Sequence, residues 1–347
     1  IIRVLVISDG KPGHFNTSAG LLNWLGERYT IREEWITVKL RFKFLGSILR
    51  YLISSNIYPP IRILKYFYQG DTTINDEVDL VISAGGDTAH INAIVAREFR
   101  TPNLLMSSLR GLPAESFSHV LTVLPAQQIS NSVYLNLVPT IVRIDKLQQA
   151  GQQLLERIDE QSRNSTMWAL LIGGDTAAYK FRRAHYACLA HAMNELSRRY
   201  GIKWLLTTSR RTGAGNEKTL EKELAPSSVA YAVYYHRKPE KVVTAYLGLA
   251  TRVFCTEDSG TMMMEAIAST KPVTALFAEI GQPPLIHKFV VNNLQEKHLI
   301  DRISVADLEA YDPGKATSLA RSEVVSFINM ERDKVLKLTE GLGLPQD

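Results

Sequence analysis

Arg252-Val253-Phe254-Cys255, then Thr256-Glu257-Asp258-Ser259-Gly260-Thr261-Met262-Met263-Met264-Glu265-Ala266-Ile267-Ala268-Ser269-Thr270-Lys271-Pro272, then Val273-Thr274-Ala275-Leu276-Phe277 reads as strand, helix, strand. A β-rich run leads through small residues into a helix. The helix stops at Lys271-Pro272, and a second apolar run follows. Ser259, Gly260 and Thr261 let a ligand approach the backbone where the first helical N–H groups are unpaired and partially positive, which suits a phosphate. Glu265 lies about 9 Å further along the helix axis. That reach suits a carboxylate bonding a ribose whose diphosphate rests at the helix start. The same residues also read as an ordinary capped helix between two strands, with Asp258 or Ser259 as N-cap.

The pattern repeats outward from this unit. Arg3 to Ile7 is a β-branched run that ends at Ser8-Asp9-Gly10-Lys11-Pro12-Gly13-His14, and a helix burying Leu21, Leu22, Trp24 and Leu25 follows. Val78 to Ser83 is another strand, with Ala84-Gly85-Gly86-Asp87-Thr88 as its loop and Ala89 to Phe99 as its helix. Asn103 to Met106 and Val120 to Val123 read as two more strands. Met167 to Ile172, with the loop Gly173-Gly174-Asp175-Thr176, opens a second series. It continues through Trp204 to Thr207, the loop Thr208-Ser209-Arg210-Arg211-Thr212-Gly213, and Val229 to Tyr235. Strands alternating with helices imply parallel sheets covered on both faces. The expected organisation is an N-terminal domain over residues 1–150, a C-terminal domain over 165–320 and a terminal helix over 321–347 packing back on the first domain. The polar helical stretch 146–166 is the boundary.

With 347 residues, 45% of them hydrophobic, the chain can bury two cores. Cys188 and Cys255 read as buried small hydrophobes, with no disulfide framework or zinc site. No apolar run is long enough to span a bilayer. The sequence opens at Ile1-Ile2-Arg3, and Ile2 to Ile7 reads as a core strand rather than a signal sequence. The formal charge of +5 favours an anionic partner. Residues 39–70 contain no acidic residue, yet hold Arg41, Phe42, Lys43, Phe44, Arg50, Arg62, Lys65, Tyr66 and Phe67. Basic amphipathic helices of this kind dock on anionic membranes. A solvated, core-facing helix pair is the competing reading.

The loops match neither G-x-G-x-x-G nor the P-loop pattern, which disfavours a nicotinamide enzyme or an NTPase. No pair of carboxylates one residue apart suggests a metal–diphosphate clamp. Electrostatic help for a leaving diphosphate then falls to helix N-termini and to Arg210 and Arg211. His14, where the first loop meets its helix, can take a proton from an acceptor hydroxyl. Asp9 is the other candidate base, or orients the imidazole. Asp87 and His90 in the second loop are further candidates.

Ser8 to His14, Thr208 to Thr212 and Thr256 to Ser259, in this order, resemble the mitochondrial-fission ELM family, whose bacterial members include lipooligosaccharide outer-core glycosyltransferases. The family looks like a branch of the GT-B fold. More distantly, Ser259, Gly260 and Glu265 resemble the donor-site pattern of the lipid II-forming transferase MurG, and Gly10 to His14 resemble its first loop. Two departures concern the acceptor side. Gly85-Gly86-Asp87-Thr88 stands where the family usually has a Gly-Arg-Arg-Thr-like element, and Pro125-Ala126-Gln127 replaces a His-Asp pair.

The resemblance implies two Rossmann-like domains facing across a cleft, with a metal-independent transferase site and no cofactor. The implied reaction moves a sugar from a nucleotide-sugar to a lipid-linked saccharide on the cytoplasmic face of a bacterial inner membrane, where the protein is peripheral; no nucleic acid is involved. The donor lies on Gly173, Gly174, Ser209, Arg210, Arg211, Asp258, Ser259, Gly260, Thr261 and Glu265, with Gln282 at the sugar. The acceptor side comprises Gly13, Gly85, Gly86 and Asp87. The alternatives are a non-hydrolysing nucleotide-sugar epimerase and a non-catalytic membrane adaptor.

Overall fold

The computed structural model describes all residues except 71, 75, 76, 126–128, 177, 178, 282, 346 and 347. The chain divides into two compact units. One comprises Ile1–Ile141 with Ile328–Asp347, and the other Val142–Phe327.

The first unit runs β1 (Ile2–Ser8), α1 (Pro12–Leu25), β2 (Ile31–Leu40), α2 (Lys43–Ser54), α3 (Leu64–Phe67), β3 (Tyr68–Gly70), β4 (Leu80–Ala84), α4 (Ala89–Phe99), β5 (Asn103–Met106), β6 (His119–Thr122) and β7 (Ser132–Tyr134). The sheet order is β3-β2-β1-β4-β5-β6-β7. Only β3 runs antiparallel to its neighbour. Ile7, Val38, Val81, Ile94 and Leu105 fill the core on one face of the sheet. Val6, Leu21, Leu25, Ile82 and Leu121 fill the other.

The second unit runs α5 (Ile144–Leu155), α6 (Glu160–Arg163), β8 (Met167–Leu171), α7 (Arg183–Tyr200), β9 (Lys203–Thr207), α8 (Ala214–Glu223), β10 (Val229–Val233), α9 (Val243–Leu249), β11 (Arg252–Thr256), α10 (Gly260–Ala268), β12 (Val273–Phe277), α11 (Leu285–Glu296) and β13 (Asp301–Ser304). Its sheet is wholly parallel, in the order β10-β9-β8-β11-β12-β13. The strands are buried on both faces, so they read as continuous apolar runs rather than alternating ones. Trp168, Trp204 and Phe254 pack ring against ring at 5.3–5.7 Å between centroids in its core. The final helix, α12 (Arg321–Glu340), begins in the second unit. Its C-terminal part belongs to the first, where Glu331 accepts the Asn136 amide at 2.9 Å and Val335 joins the core. The stretch 146–166 lies in the second unit, within and around α5 and α6.

Both sheets step outward from their first strand to the second and third on one side, then return to the fourth on the other. Ligands of open α/β sheets bind beyond the strand C-termini at that reversal point. In the first unit the point lies between β1 and β4. In the second it lies between β8 and β11.

Some expectations are corrected. Cys255 is buried but Cys188 is exposed, because position 188 falls on the outer side of α7 while Tyr186, Leu189, Ala190 and Met193 face inward. The strand expected over Val229 to Tyr235 ends at Val233. Strands β2, β3, β7 and β13 were not anticipated. In β2 only Ile36 and Val38 are buried, and Glu33 and Glu34 break the apolar run.

Candidate functional site

In the first unit the loop after β1 is three residues long, and Pro12 opens α1 with its φ already set for a helix. His14 therefore sits in the first helical turn. Its Nδ1 lies 2.9 Å from Asp9 Oδ2. Asp9 also accepts from Lys11 Nζ at 2.7 Å and from the Lys11 amide at 3.1 Å. Burial pushes the Asp9 carboxyl up, but hydrogen bonds from Lys11 and His14 outweigh it and hold the group below the usual carboxylate range. An ionised carboxylate can only accept. His14 Nδ1 must then carry the hydrogen, which leaves Nε2 as the basic nitrogen. The Asp9 side chain is 4% exposed and that of His14 is 37% exposed, so the orienting group is sealed and the imidazole is reachable.

The loop after β4 closes on the same point. Gly85 has φ +92°, and a Cβ there would collide with the His14 ring. Gly86 lies under Arg110, whose guanidinium a Cβ would strike. Asp87 Oδ2 accepts from Lys11 Nζ at 3.0 Å. Asp9, His14, Gly85, Gly86 and Asp87 thus come together, and Gly13, one residue before His14, supplies a carbonyl to Thr17. Lys11 and Arg110 were not singled out from the sequence. Only the position of Arg110-Gly111, soon after β5, hinted at the second of them. His90, 6% exposed at the start of α4, is pushed down to about 4 by burial and by the charges of Arg50 and Arg110, with Asp87 pulling the other way. It stays neutral at ordinary pH.

In the second unit three loops are stitched around Gly173 and Gly174. The Gly173 amide donates to Thr256 Oγ1 at 2.7 Å and the Gly174 amide to Asp258 Oδ2 at 3.0 Å. The Gly173 carbonyl accepts from Ser209 Oγ and from Thr212 Oγ1, the latter at 2.8 Å. Arg211 Nη2 pairs with Asp258 Oδ2 at 2.7 Å. A Cβ on Gly173 would collide with the Asp258 carboxylate, and one on Gly174 with the Arg211 backbone. The Asp258 side chain has no exposed surface. Burial pushes its carboxyl up to about 6, against hydrogen bonds from Thr256 and Gly174 and the Arg211 charge.

Asp258 and Arg211 therefore hold the loops to one another. Arg210 is exposed and has no ion-pair partner among the described residues. Ser259 occupies the N-cap of α10 without a side-chain cap bond. Nothing lies within 4 Å of where a Gly260 Cβ would stand. Thr261 beside it is half-buried, and the Ser259 N–H bonds the Thr256 carbonyl at 3.2 Å. Glu265 lies further along α10, 6% exposed. Gln282 lies outside the described residues.

The basic aromatic stretch folds as α2 and the turns leading to β3. Phe42, Phe44, Tyr51 and Tyr66 are each at least 60% exposed, and Phe42 stacks on Phe44 at 5.7 Å between centroids. Arg41, Lys43, Arg62 and Lys65 are exposed around them. Phe67 is half-buried. Arg50 instead reaches the Arg110 carbonyl, with Nη1 at 3.2 Å. Among the described residues no helix is long and apolar enough to cross a membrane, and no three His, Cys, Asp or Glu side chains gather as metal ligands. A cavity of about 520 Å³ lined by Arg3, Arg32, Glu33, Glu34 and Glu77 lies at the other end of the strands and holds none of these residues.

Residues 12–325 match the family model described as mitochondrial fission ELM1. The chain belongs to the ELM1 family. No curated protein sequence matches it. Solved structures extend the likeness from this ELM1-family chain to other folds of known shape. The Phytolacca americana UGT2 in complex with UDP-2fluoro-glucose and pterostilbene is similar with a TM-score of 0.54 at 10% identity, over 98% of this chain and 99% of that one. A Listeria monocytogenes protein described as a putative UDP-N-acetylglucosamine 2-epimerase gives 0.53 at 12% identity, over 97% and 91%. The UDP-GlcNAc 2-epimerase from Methanocaldococcus jannaschii gives 0.53 at 11%, over 96% and 93%. At these identities the likeness establishes the fold: two Rossmann-like domains of the GT-B type.

Proposed function

We propose that the protein is a metal-independent glycosyltransferase that uses a nucleotide-sugar. The observation that carries this reading is the His14–Asp9 pair at the reversal point of the first sheet. A buried, ionised carboxylate fixes the imidazole tautomer and leaves Nε2 as the basic nitrogen of a partly exposed ring, the arrangement a general base needs to take a proton from an acceptor hydroxyl. The hydroxyl oxygen then attacks the anomeric carbon as the bond to the nucleoside diphosphate breaks. The proton goes to His14 and the electron pair to the leaving diphosphate.

The second unit offers what a leaving diphosphate requires. The N-terminus of α10 offers first-turn N–H groups at Gly260 and Thr261 with the Ser259 hydroxyl beside them, while the Ser259 N–H itself bonds the Thr256 carbonyl, and exposed Arg210 adds a guanidinium. Glu265 is proposed to bond the ribose. Gly173 and Gly174 are tied into the wall of this cradle by Ser209, Arg211 and Asp258. On this reading helix dipole and guanidinium do the work of a cation, so activity survives EDTA. Loss of turnover on chelation, restored by magnesium or manganese, would contradict it.

The acceptor is proposed to be lipid-linked and reached from the cytoplasmic face of an anionic membrane. The exposed Phe42, Phe44, Arg41, Lys43, Arg62 and Lys65 support that placement. The likeness to the UDP-GlcNAc 2-epimerase from Methanocaldococcus jannaschii favours epimerisation as the second reading. Incubating the nucleotide-sugar alone separates them: a transferase leaves it intact until an acceptor is added, whereas an epimerase converts it unaided.

A further inference from the structure

Beside His14, the first unit carries more positive charge than its own carboxylates neutralise. Lys11, Arg50 and Arg110 converge on the loops after β1, β4 and β5, while Asp9 and Asp87 are the carboxylates among them. Lys11 already bonds both Asp9 and Asp87. Arg110 reaches Asp87 only at 4.0 Å. Arg50 meets no carboxylate among the described residues. Its bonds go to the Arg110 carbonyl at 3.2 Å and to Ser47 Oγ at 3.4 Å. The arginines are held close to one another by the backbone. Arg110 adopts φ +50°, its guanidinium lies over Gly86, and Arg50 lies 3.2 Å from where a Gly111 Cβ would stand. Like charges held together at backbone cost are a feature of anion sites, because the guanidinium fork matches phosphate and carboxylate oxygens two at a time.

A second, independent observation points to a missing ligand. His90 is 6% exposed, and its Nδ1 has no hydrogen-bond partner among the described residues. The charges of Arg50, Arg110 and Asp87 all act on its ring. Gly46 of α2 packs at its Cε1. A buried polar nitrogen without a partner is costly.

We propose that Arg50, Arg110 and His90 form a binding site for an anionic group, a phosphate or a sugar carboxylate, carried by the acceptor close to the hydroxyl that His14 activates. Calling the ligand the acceptor rests on the transferase reading; the anion site itself does not. The site would select among acceptors by charge rather than by sugar ring, and it gives Arg50 a task distinct from membrane docking.

Calorimetric titration of the full chain with inorganic phosphate and, separately, with glucuronate tests this without any nucleotide present. Three further proteins enter the comparison. Arg50→Gln/Arg110→Gln removes the charges, and Arg110→Lys keeps charge while losing the fork, which covers the case in which the double variant does not fold. Gly260→Asp adds negative charge at the α10 start and so reports phosphate bound there instead.

The expected result is saturable binding by wild type, with a component that survives in Gly260→Asp. Affinity should fall at least about tenfold in the double variant, by a smaller factor in Arg110→Lys, and should weaken with salt. Phosphate binding more tightly than glucuronate assigns a phosphoryl group, and the reverse a carboxylate. Equal binding by wild type, Arg110→Lys and the double variant, or binding lost only in Gly260→Asp, overturns the site. A chain that binds phosphate as expected but no nucleotide-sugar leaves the site standing and contradicts the transferase reading instead.

Discussion

The two units share a topology but use the ends of their strands differently. In the first, most of the titratable groups beyond β1 and β4 are partly open: His14 is reachable and Lys11 and Arg110 are more than half exposed, while Asp9 and His90 are sealed. In the second, the groups beyond β8, β9 and β11 are buried and tied together. Asp258 and Arg211 with Thr256, Ser209 and Thr212 lock the glycine turn and leave Arg210 exposed. On the proposed function, one fold yields a place that handles a proton and a place that holds charge still. Proton transfer needs a side chain that changes state, whereas a leaving diphosphate needs dipoles that do not reorganise.

The comparison breaks first at His14. His14→Ala is expected to lower kcat by about 10²–10⁴-fold, the usual worth of general-base catalysis, with nucleotide affinity unchanged. Gly85→Ala, whose new Cβ would push into the imidazole, should act in the same direction. Steady-state kinetics with the donor varied decides it, and near-normal kcat in His14→Ala would move the base to Asp9 or elsewhere.

The units should also differ towards membranes. Charge reversal at Arg41, Lys43 and Lys65 removes three cations worth about 1 kcal/mol each near an anionic surface. Sedimentation with anionic vesicles should show the triple variant released, and wild-type binding should weaken as salt rises. Equal recovery of both proteins in the supernatant at every salt concentration speaks against docking. Turnover of a soluble acceptor should be spared.

The buried pair of the second unit should leave a trace in stability. Because the folded state raises the Asp258 carboxyl from its ordinary 3.8 to about 6, folding favours its protonated form. The contribution of Asp258 to stability is therefore present at low pH and lost as pH rises through about 4 to 6, by up to about 3 kcal/mol. Urea unfolding at pH 4 and pH 7 should show this slope in wild type and not in Asp258→Asn. Equal slopes would mean that Asp258 titrates like a solvated carboxylate.

Much of this was legible in the sequence because it rests on local pattern. The βαβ unit over residues 252–277 and the glycine loops after β1, β4 and β8 announce parallel sheets by run, turn and helix alone. The pairing of His14 with Asp9 follows from a short loop into a helix. What could not be read depends on contacts distant in sequence. Asp258 reads as a cap or phosphate neighbour until β8 and β9 bring Gly174 and Arg211 against it. Arg50 reads as one more cation of a basic helix until the loop after β5 gives it the Arg110 carbonyl. Strand β2 escapes the sequence pattern because it buries only Ile36 and Val38, with Glu33 exposed and Glu34 half-buried.

The central claim is that the second unit holds a nucleotide-sugar at the start of α10, and direct binding tests it best. Calorimetry of UDP-, GDP-, CMP- and dTDP-sugars should find one that binds wild type and His14→Ala equally. A carboxylate bonding ribose hydroxyls makes charge-assisted hydrogen bonds worth about 1.5–3 kcal/mol each, so Glu265→Ala should bind that sugar at least about tenfold more weakly while keeping its circular dichroism. Binding by none of the four, or binding indifferent to Glu265→Ala, would contradict the account.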